Sequence, residues 1–418
     1  MSVAQETPLA ELAVDGRRFH RLPQLADAPL AFRVALRIIA RNWTLGSITF
    51  VLPSGHEMHV SSNQPGPDAR LIVHDFRFMR RALATGDIGF AEGYMAGEWD
   101  TPDLPDLLSV FAANWHRLHQ VTMGNPLTWT FNRITHALRG NSRTGARKNI
   151  HAHYDLGNAF YERWLDPTMT YSSARYETPG QPLEAAQTAK YRALAQGMGL
   201  QSGQSVLEIG CGWGGFAEFA AREVGARVTA ITISEEQYKF ARDRMFAQGL
   251  NDKADIRFVD YRDVEGQFDR VASIEMFEAV GEKYWPAYFD KIQGSLKSGG
   301  RAGLQVITIR DQDFEEYRSR ADFIQKYIFP GGMLPSEERL KLVTDRAGLG
   351  WTGITRFGQD YAETLAAWHR SFDAAWNEIR ALGFDERFRK LWKFYLSYCE
   401  AGFRTERTNV VQLSLAKA

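Results

Sequence analysis

The sequence has little cysteine and no long apolar run, and these absences narrow the classes of protein that it can encode. Its 418 residues include two cysteines, Cys211 and Cys399, which excludes a disulfide framework and is typical of a reducing compartment. No apolar run reaches the roughly 18 residues that predict a membrane span. Residues 1–27 lack the apolar core of a signal peptide, and no cysteine or histidine cluster has zinc-site spacing. We therefore expect a cytoplasmic protein without a metal.

Net charge is also lacking, because 50 basic residues balance 50 acidic ones, so any basic surface must be local. The interval 107–154 contains no Asp or Glu, and its aromatic residues alternate with histidines and cations. These cations are Arg117, Arg133, Arg139, Arg143, Arg147 and Lys148. Such a stretch predicts contact with the phosphates of lipid head groups or of nucleic acid, and a basic linker between domains is the structural alternative.

A second basic feature lies nearer the N-terminus. Residues 29–43 have helical periodicity, and Arg33, Arg37 and Arg41 fall four apart on one helix face. A basic amphipathic helix can lie on an anionic membrane surface. A helix that packs on its own domain and turns its arginines to water is the equally weighted alternative.

The sequence does contain a glycine-rich segment at 206–217. It begins with the pattern of an apolar strand, continues with four glycines and ends with the pattern of a helix. The glycines are Gly210, Gly212, Gly214 and Gly215. They let the backbone approach a bound molecule closely, and the helix N-terminus offers free N–H groups. The spacing of Gly210, Gly212 and Gly215 also fits a dinucleotide fingerprint, so the loop alone leaves the ligand open.

Strand and helix patterns alternate after residue 182, which predicts an α/β fold with a doubly wound, mostly parallel sheet. Strands are predicted at 206–209, 227–232, 255–259, 268–274 and 300–307, with closing strands at 350–355 and 409–415. We predict a flexible N-terminus at 1–27, a smaller α+β N-terminal domain at 28–140 associated with lipid or membrane, and the α/β domain at 141–418. Insertions near 313–336 and 361–403 are expected to cover the substrate.

Ligands of open α/β sheets bind beyond the carboxyl ends of the strands. A dinucleotide site normally has an acidic residue where the second strand ends, for the ribose hydroxyls, but here Thr232, Ile233 and Ser234 occupy that position. Neutral hydrogen-bonding groups and close backbone approach suit an adenosyl ligand without phosphates. The pattern therefore favours a class I methyltransferase site for S-adenosylmethionine.

Motifs spread over residues 80–415 resemble the cyclopropane fatty acid synthase family. They are 92–99 (EGYMAGEW), 153–158 (HYDLGN), 169–173 (MTYSS), 206–215, 232–237 (TISEEQ), 260–263 (DYRD), 276–281 (MFEAVG), 326–332 (KYIFPGG) and 358–361 (GQDY). Enzymes of this family transfer a methyl group from S-adenosylmethionine to the cis double bond of an unsaturated acyl chain. The resemblance implies an unsaturated phospholipid as substrate and a peripheral location on the inner face of the membrane.

The resemblance also assigns the cofactor site. By position in the motifs, the contacts with S-adenosylmethionine are Tyr171, Ser172, Gly210, Gly212, Thr232 and Gln237, with Tyr261 and Arg262 beside the adenine. It further implies a segment at 153–155 that closes over the cofactor.

Ring-forming members of the family use a bicarbonate ion as base, held by Cys, Glu, His, Tyr and an Ile backbone. Glu278 and Tyr361 match the Glu and the Tyr, so Glu278 is the expected basic group and Glu275 is interpreted as a cofactor-side or structural group. Ser173 stands where the family has Cys, and Ile307 where it has His. Ser173 can still donate a hydrogen bond, but Ile307 cannot, which puts bicarbonate binding in doubt.

The product therefore stays open at this level. A cyclopropane ring is the first expectation, and a non-cyclic methyl-branched or methylene-bearing chain, passed to a downstream enzyme, is the alternative. A methyltransferase for a soluble small molecule and a non-catalytic membrane- or nucleic-acid-binding protein are the competing functions, and we expect no nucleic-acid partner. A homodimer would suit a surface enzyme, because two weak membrane contacts reinforce each other.

Overall fold

The structure, a computed structural model, describes Leu25 and residues 28–115, 117, 118 and 156–417. The chain divides into two compact units, one made of residues 1–132 and 385–405 and the other of residues 133–384 and 406–418. The predicted domain boundary at residue 140, most of the basic interval 107–154 and the predicted closing segment at 153–155 lie outside the described residues.

The helices and strands follow in chain order. The first unit begins with α1 (Leu30–Asn42), β1 (Ser47–Val51), β2 (Glu57–Ser61), β3 (Asp68–Val73), α2 (Arg77–Thr85), α3 (Asp87–Met95), β4 (Trp99–Asp100) and α4 (Leu104–Ala113). The second unit contains α5 (Asn158–Tyr161), α6 (Leu183–Gly197), β5 (Ser205–Ile209), α7 (Gly215–Phe219), β6 (Arg227–Thr232), α8 (Glu235–Ala247), β7 (Ala254–Phe258), β8 (Phe268–Ile274), α9 (Trp285–Ser295), β9 (Leu296–Ile309), α10 (Asp311–Ser319), α11 (Phe323–Tyr327), α12 (Glu337–Arg346), β10 (Leu349–Arg356), α13 (Gly358–Ala374) and α14 (Trp376–Ala381). Helix α15 (Glu386–Arg404) returns to the first unit, and β11 (Thr408–Lys417) to the second.

The first unit is α+β, as predicted. Its four strands have the order β2-β1-β3-β4, with β1 and β3 parallel and the outer pairs antiparallel. Alternate residues of β1, Ile48 and Phe50, are buried because successive side chains of a strand point to opposite faces. Helix α15 packs against α3 and α4 and thereby completes this unit from a distant part of the sequence.

Helix α1 packs on its own unit through Phe32 and Leu36, which are fully buried. Its arginine side chains at 33 and 37 are half-buried, whereas Leu30 and Val34 are 63% and 41% exposed. Arg41 is exposed, so the side of α1 that faces water carries one of the three arginines together with the apolar pair Leu30 and Val34.

Helices α2 and α3 cross in backbone contact at Gly89. A Cβ built on Gly89 would lie 2.0 Å from the carbonyl oxygen of Arg81. Because backbone cannot rotate away as a side chain can, we expect Gly89→Ala to lower the free energy of unfolding of this unit by about 3 kcal/mol. Scanning calorimetry of the thermal transition measures the change.

The matched control for this substitution is Gly294→Ala. Gly294 lies in helix α9, and a Cβ there would meet nothing within 4 Å. We expect an unchanged or slightly raised stability, because alanine is the better helix former by about 1 kcal/mol. Equal losses in both variants would contradict the packing argument.

The second unit contains the predicted doubly wound sheet, with the strand order β10-β11-β9-β8-β5-β6-β7. All pairs from β9 to β7 are parallel, and β11 pairs antiparallel with both β9 and β10. Strand β5, at the centre, is buried at every position from Val206 to Ile209, because helices cover both faces of the sheet. One core lies around Tyr288 and Leu340, and the other around Leu194 and Ala241.

One of the two predicted insertions lies within a single unit, and the other is divided between the two units. The segment 313–336 forms α10, α11 and the connection to α12, all within the second unit. The segment 361–403 is divided, since α13 and α14 stay in the second unit whereas α15 belongs to the first. The carboxyl ends of β5, β6, β7 and β8 point to one edge of the sheet, because these strands are parallel.

Candidate active site

The glycine loop follows β5 as a tight turn, and three of its glycines have left-handed backbone. Gly210, Gly212 and Gly214 have φ values of 81°, 52° and 84°. A Cβ on Gly210 would lie 2.7 Å from Cγ of Met276, in the segment after β8, so only glycine lets these two strand ends approach. Helix α7 begins at Gly215 and directs its N-terminal N–H groups toward the loop.

At the end of β6, Thr232 and Gln237 form a buried pair in which the threonine hydroxyl donates to Oε1 of Gln237 at 2.9 Å. Ser234 caps helix α8 by accepting from the backbone N–H of Gln237 at 3.3 Å. The predicted cofactor contacts Thr232 and Gln237 are thus adjacent, and their mutual hydrogen bond fixes the orientation of the amide.

At the end of β7, the carboxylate of Asp260 is held by the guanidinium of Arg262 through bonds of 2.8 and 2.6 Å, and it also accepts from the Arg262 backbone N–H. The guanidinium lies 5.4 Å from the centre of the Tyr261 ring. This short turn therefore presents the flat ring of Tyr261 beside the fixed charges of Asp260 and Arg262. A flat ring can pack on the face of an adenine, and polar groups can hydrogen-bond to its edge.

The segment 169–173 contributes backbone and side chains to the same region. Ser172 accepts a 2.7 Å hydrogen bond from Nζ of Lys190, a fully buried residue on α6. Burial lowers the pKa of Lys190 to about 7, opposed by the charges of Glu275, Asp166 and Glu208. Burying a lysine among carboxylates costs free energy that an apolar core residue would not cost. Such a perturbed group is typical of a functional site.

Glu275 receives hydrogen bonds from three separate segments. Its Oε1 accepts from the backbone N–H of Ser173 at 2.8 Å and from Nε2 of Gln305 at 2.7 Å, and its Oε2 accepts from the hydroxyl of Tyr361 at 2.7 Å. Its backbone has φ of 48°, a strained value for a residue other than glycine. Gln305 is itself oriented by Gln412, whose Nε2 donates to it at 3.1 Å.

Glu278, one turn further on, has different surroundings. Its Oε1 accepts from the backbone N–H of Ile307 at 2.5 Å, while its Oε2 is buried without a hydrogen-bond partner among the described residues. Burial, and secondarily the charge of Glu275, raises the pKa of Glu278 to about 8. Protein encloses both carboxyl groups, so neither charge is stabilised by bulk water.

An aromatic cluster adjoins these carboxylates. The Trp368 ring lies 6.1 Å from Tyr361, 5.3 Å from Tyr171 and 5.8 Å from Trp164. Tyr161 connects the cluster to Trp213 in the glycine loop, at 5.0 Å. Ring faces carry partial negative charge, so this cluster can stabilise a cation that forms beside it.

The residues fit S-adenosylmethionine by their chemistry. The loop leaves open space at Gly212, where a Cβ would meet nothing within 4 Å, and the polar groups at Thr232, Gln237 and Tyr261 are neutral. Within the described residues, no group of His, Cys, Asp and Glu is arranged to hold a metal ion. Likewise, no helix in the described part of the chain is long and apolar enough to cross a bilayer.

Ser173 differs most from its predicted role. Its hydroxyl donates to the carbonyl of Ala174 at 2.8 Å, and its backbone N–H, not its side chain, reaches the carboxylate of Glu275. Tyr361 likewise donates to Glu275 rather than to Glu278. The sequence interpretation did not assign Gln305, Lys190 or Trp368, which are separated along the chain and match no local motif.

These features together define a class I methyltransferase that uses S-adenosylmethionine. The chain belongs to the mycolic acid cyclopropane synthetase family, whose family model matches residues 141–413. The resemblance inferred from the motifs is thereby confirmed.

Individual relatives cover most of the chain. It is 37% identical to tuberculostearic acid methyltransferase UfaA1 of Mycobacterium tuberculosis, over 99% of this chain and 98% of that protein. It is 36% identical to cyclopropane-fatty-acyl-phospholipid synthase of Escherichia coli, over 81% and 86% respectively. Among solved structures, mycolic acid cyclopropane synthase CmaA1 complexed with SAH and CTAB has a TM-score of 0.61 and 29% identity, over 65% of this chain and 98% of that one.

Proposed function

We propose that the enzyme methylates the cis double bond of an unsaturated acyl chain in membrane phospholipid. The observation that carries this proposal is the meeting of a carboxylate pair, Glu275 and Glu278, with the aromatic cluster around Trp368. Transfer of a methyl to an alkene needs both features, because it leaves a carbocation that must be stabilised and then lose a proton. The names of the E. coli and M. tuberculosis relatives support a lipid acyl substrate.

One set of residues binds the cofactor, and another set surrounds the acyl chain where the cation forms. The glycine loop, the Thr232–Gln237 pair and the turn at Tyr261 hold S-adenosylmethionine, which supplies an electrophilic methyl group when bound. The aromatic cluster excludes water and faces the developing cation. The carboxylate pair and Tyr361 form the region where the proton leaves.

A cyclopropane ring is the product that we propose first, formed when the proton comes from the newly added methyl group. A non-cyclic methyl-branched or methylene-bearing chain is the second candidate, and two observations favour it. Ile307 presents no polar side-chain group beside Glu278. The relative that covers 99% of the chain is named a tuberculostearic acid methyltransferase, not a cyclopropane synthase.

The test incubates the purified protein with S-adenosylmethionine labelled in its methyl group and with vesicles of unsaturated phospholipid. We expect label in the lipid fraction, and saturated phospholipid vesicles serve as the control. Mass spectrometry of the acyl chains before and after mild hydrogenation identifies the product, because a cyclopropane resists hydrogenation whereas an alkene takes up two hydrogens. Label confined to a soluble acceptor, or bound cofactor without turnover, would refute the proposal in favour of the competing functions.

The peripheral membrane location belongs to the same proposal. It rests on the lipid substrate and on the cations of residues 107–154, most of which lie outside the described residues. Sedimentation of the protein with anionic vesicles, and its release by salt, measures this interaction directly.

A further inference from the structure

We propose that Glu275 is the group that removes the proton in this reaction, so that the chain carries its own base where other members of the family bind an anion. The inference rests on the proposed function, and it names the residue that acts at the site just described. It assigns catalysis to a residue that the sequence interpretation took for a cofactor-side or structural group.

The contacts of Glu275 form a cradle for an anion. Backbone N–H of Ser173, amide Nε2 of Gln305 and the hydroxyl of Tyr361 all donate toward this one carboxylate. The donors come from three segments of the chain, and Gln412 keeps the amide of Gln305 turned in the right direction. Such a convergence of donors favours negative charge at this position.

The local charges support the same assignment. The nearby Lys190 ammonium is the largest influence that opposes the effect of burial on the pKa of Glu275. Burial raises the pKa of both carboxylates, that of Glu278 to about 8, but no lysine lies among the influences on Glu278. Glu278 accepts from one donor of another segment, the backbone N–H of Ile307, whereas Glu275 accepts from three donors. These surroundings favour Glu275 as the anion and hence as the base.

Glu275 also has the capacity to accept a proton. A carboxylate offers about four lone-pair positions. Its Oε1 accepts two hydrogen bonds and its Oε2 accepts one, so Oε2 retains a position for an incoming proton. The backbone strain at φ of 48° is a cost that a purely structural side chain would not require, since glycine adopts this conformation freely.

The step is a simple proton transfer. One C–H bond breaks, either on the newly added methyl group or on the chain carbon next to the cationic carbon. The electron pair of that bond fills the empty orbital. From the methyl group it closes the ring as a new carbon–carbon single bond, and from the neighbouring chain carbon it forms a double bond. The proton goes to Oε2 of Glu275, which becomes a neutral carboxylic acid and then releases the proton to solvent. No oxidant, reductant or bound anion takes part.

The test compares three proteins in buffer with and without bicarbonate. Wild type is expected to turn over equally well after carbon dioxide and bicarbonate are removed. Glu275→Gln keeps the shape but cannot take a proton, so we expect a loss in kcat of about 100-fold or more that added anions do not restore. Glu275→Gly relieves the backbone strain and empties the cradle, so we expect a similar loss that millimolar bicarbonate, formate or acetate partly restores.

A comparison variant and a second readout separate this inference from the proposed function. Glu363→Gln removes an exposed carboxylate from α13, the helix that carries Tyr361, so we expect it to keep its activity. Calorimetric titration of formate into Glu275→Gly is expected to show binding that wild type lacks, and this measurement needs no lipid turnover. A wild type that requires bicarbonate, an active Glu275→Gln, or a folded Glu275→Gly that binds no anion would each overturn the assignment, whereas absence of any lipid product in wild type would overturn only the proposed function.

Discussion

Replacing Lys190 with methionine is expected to lower the free energy of unfolding by about 3–5 kcal/mol, the usual result of removing one partner from a buried set of charges. Lys190 is fully buried on helix α6 and is influenced by the charges of Glu275, Asp166 and Glu208. Methionine fills the same space but removes the hydrogen bond to Ser172 and the charge that Lys190 carries near and below pH 7. Denaturant unfolding of the purified variant at pH 7 measures the loss.

The loss of stability in the methionine variant is expected to depend on pH, because Lys190 titrates at different pH values in the folded and unfolded chain. Burial holds the pKa of Lys190 near 7, below the value of about 10.4 in an unfolded chain. Between these values the unfolded state binds more protons, so the contribution of Lys190 to stability rises with pH. The deficit of the methionine variant should therefore grow from pH 7 to pH 9, and a deficit that shrinks over this range would contradict the burial of the amine.

The control substitution for Lys190 is Lys239→Met. Lys239 lies on helix α8 and pairs with Glu235 one turn away, and both side chains are more than half exposed. Because exposed pairs of this kind contribute little, we expect no measurable change in stability. A comparable loss in both variants would show that removal of positive charge in general, and not the buried cluster, is responsible.

Replacing Trp368 with leucine is expected to lower kcat about 10- to 30-fold, because this fully buried ring holds Tyr361 and Tyr171 in position and small misplacements of reacting groups are costly. The Trp368 ring contacts both Tyr361, which donates to Glu275, and Tyr171, a predicted cofactor contact. Leucine keeps the pocket apolar but removes the ring face. Single-turnover methyl transfer to unsaturated phospholipid measures the rate, and titration with S-adenosylhomocysteine shows whether the cofactor still binds.

Trp376→Leu provides the matched control. Trp376 is also buried, on helix α14, and its ring packs on Phe372 at 5.9 Å. Both variants lose a buried indole, so both should have lower melting temperatures. An equal fall in kcat for the two variants would show that the rate depends on general packing rather than on the ring beside the carboxylates.

The sheet of the second unit was predictable from the sequence because strand and helix periodicities alternate there without interruption. The predicted strands at 227–232 and 268–274 coincide with β6 and β8. Strand β9 begins earlier than predicted, at Leu296, because the Gly299–Gly300 turn signal lies inside the strand. Helix α15 was predictable only in part, since its periodicity indicates a helix but does not indicate which unit the helix completes.

The site was predictable where its residues lie in short motifs and not where they meet from distant segments. The glycine loop, the Thr232–Gln237 pair and the Asp260–Arg262 turn each lie within a few residues of a strand end. The strand-end rule and the family resemblance therefore predicted them as one site. The cradle of Glu275 was not predictable, because Ser173, Gln305 and Tyr361 are more than 50 positions apart along the chain. Nothing in the sequence distinguishes a backbone N–H that is free to donate from one that pairs in a strand.

By itself, the sequence determined the family, the parallel sheet and the methyl donor, since these follow from motifs and periodicities that are encoded locally. Only the tertiary structure decided how the two carboxylates differ. Glu275 and Glu278 are three residues apart and chemically identical, so no pattern in the sequence can separate them. What separates them is the set of donors, the buried lysine and the enclosing protein around each, and these exist only when β8, β9, α6 and α13 have packed together.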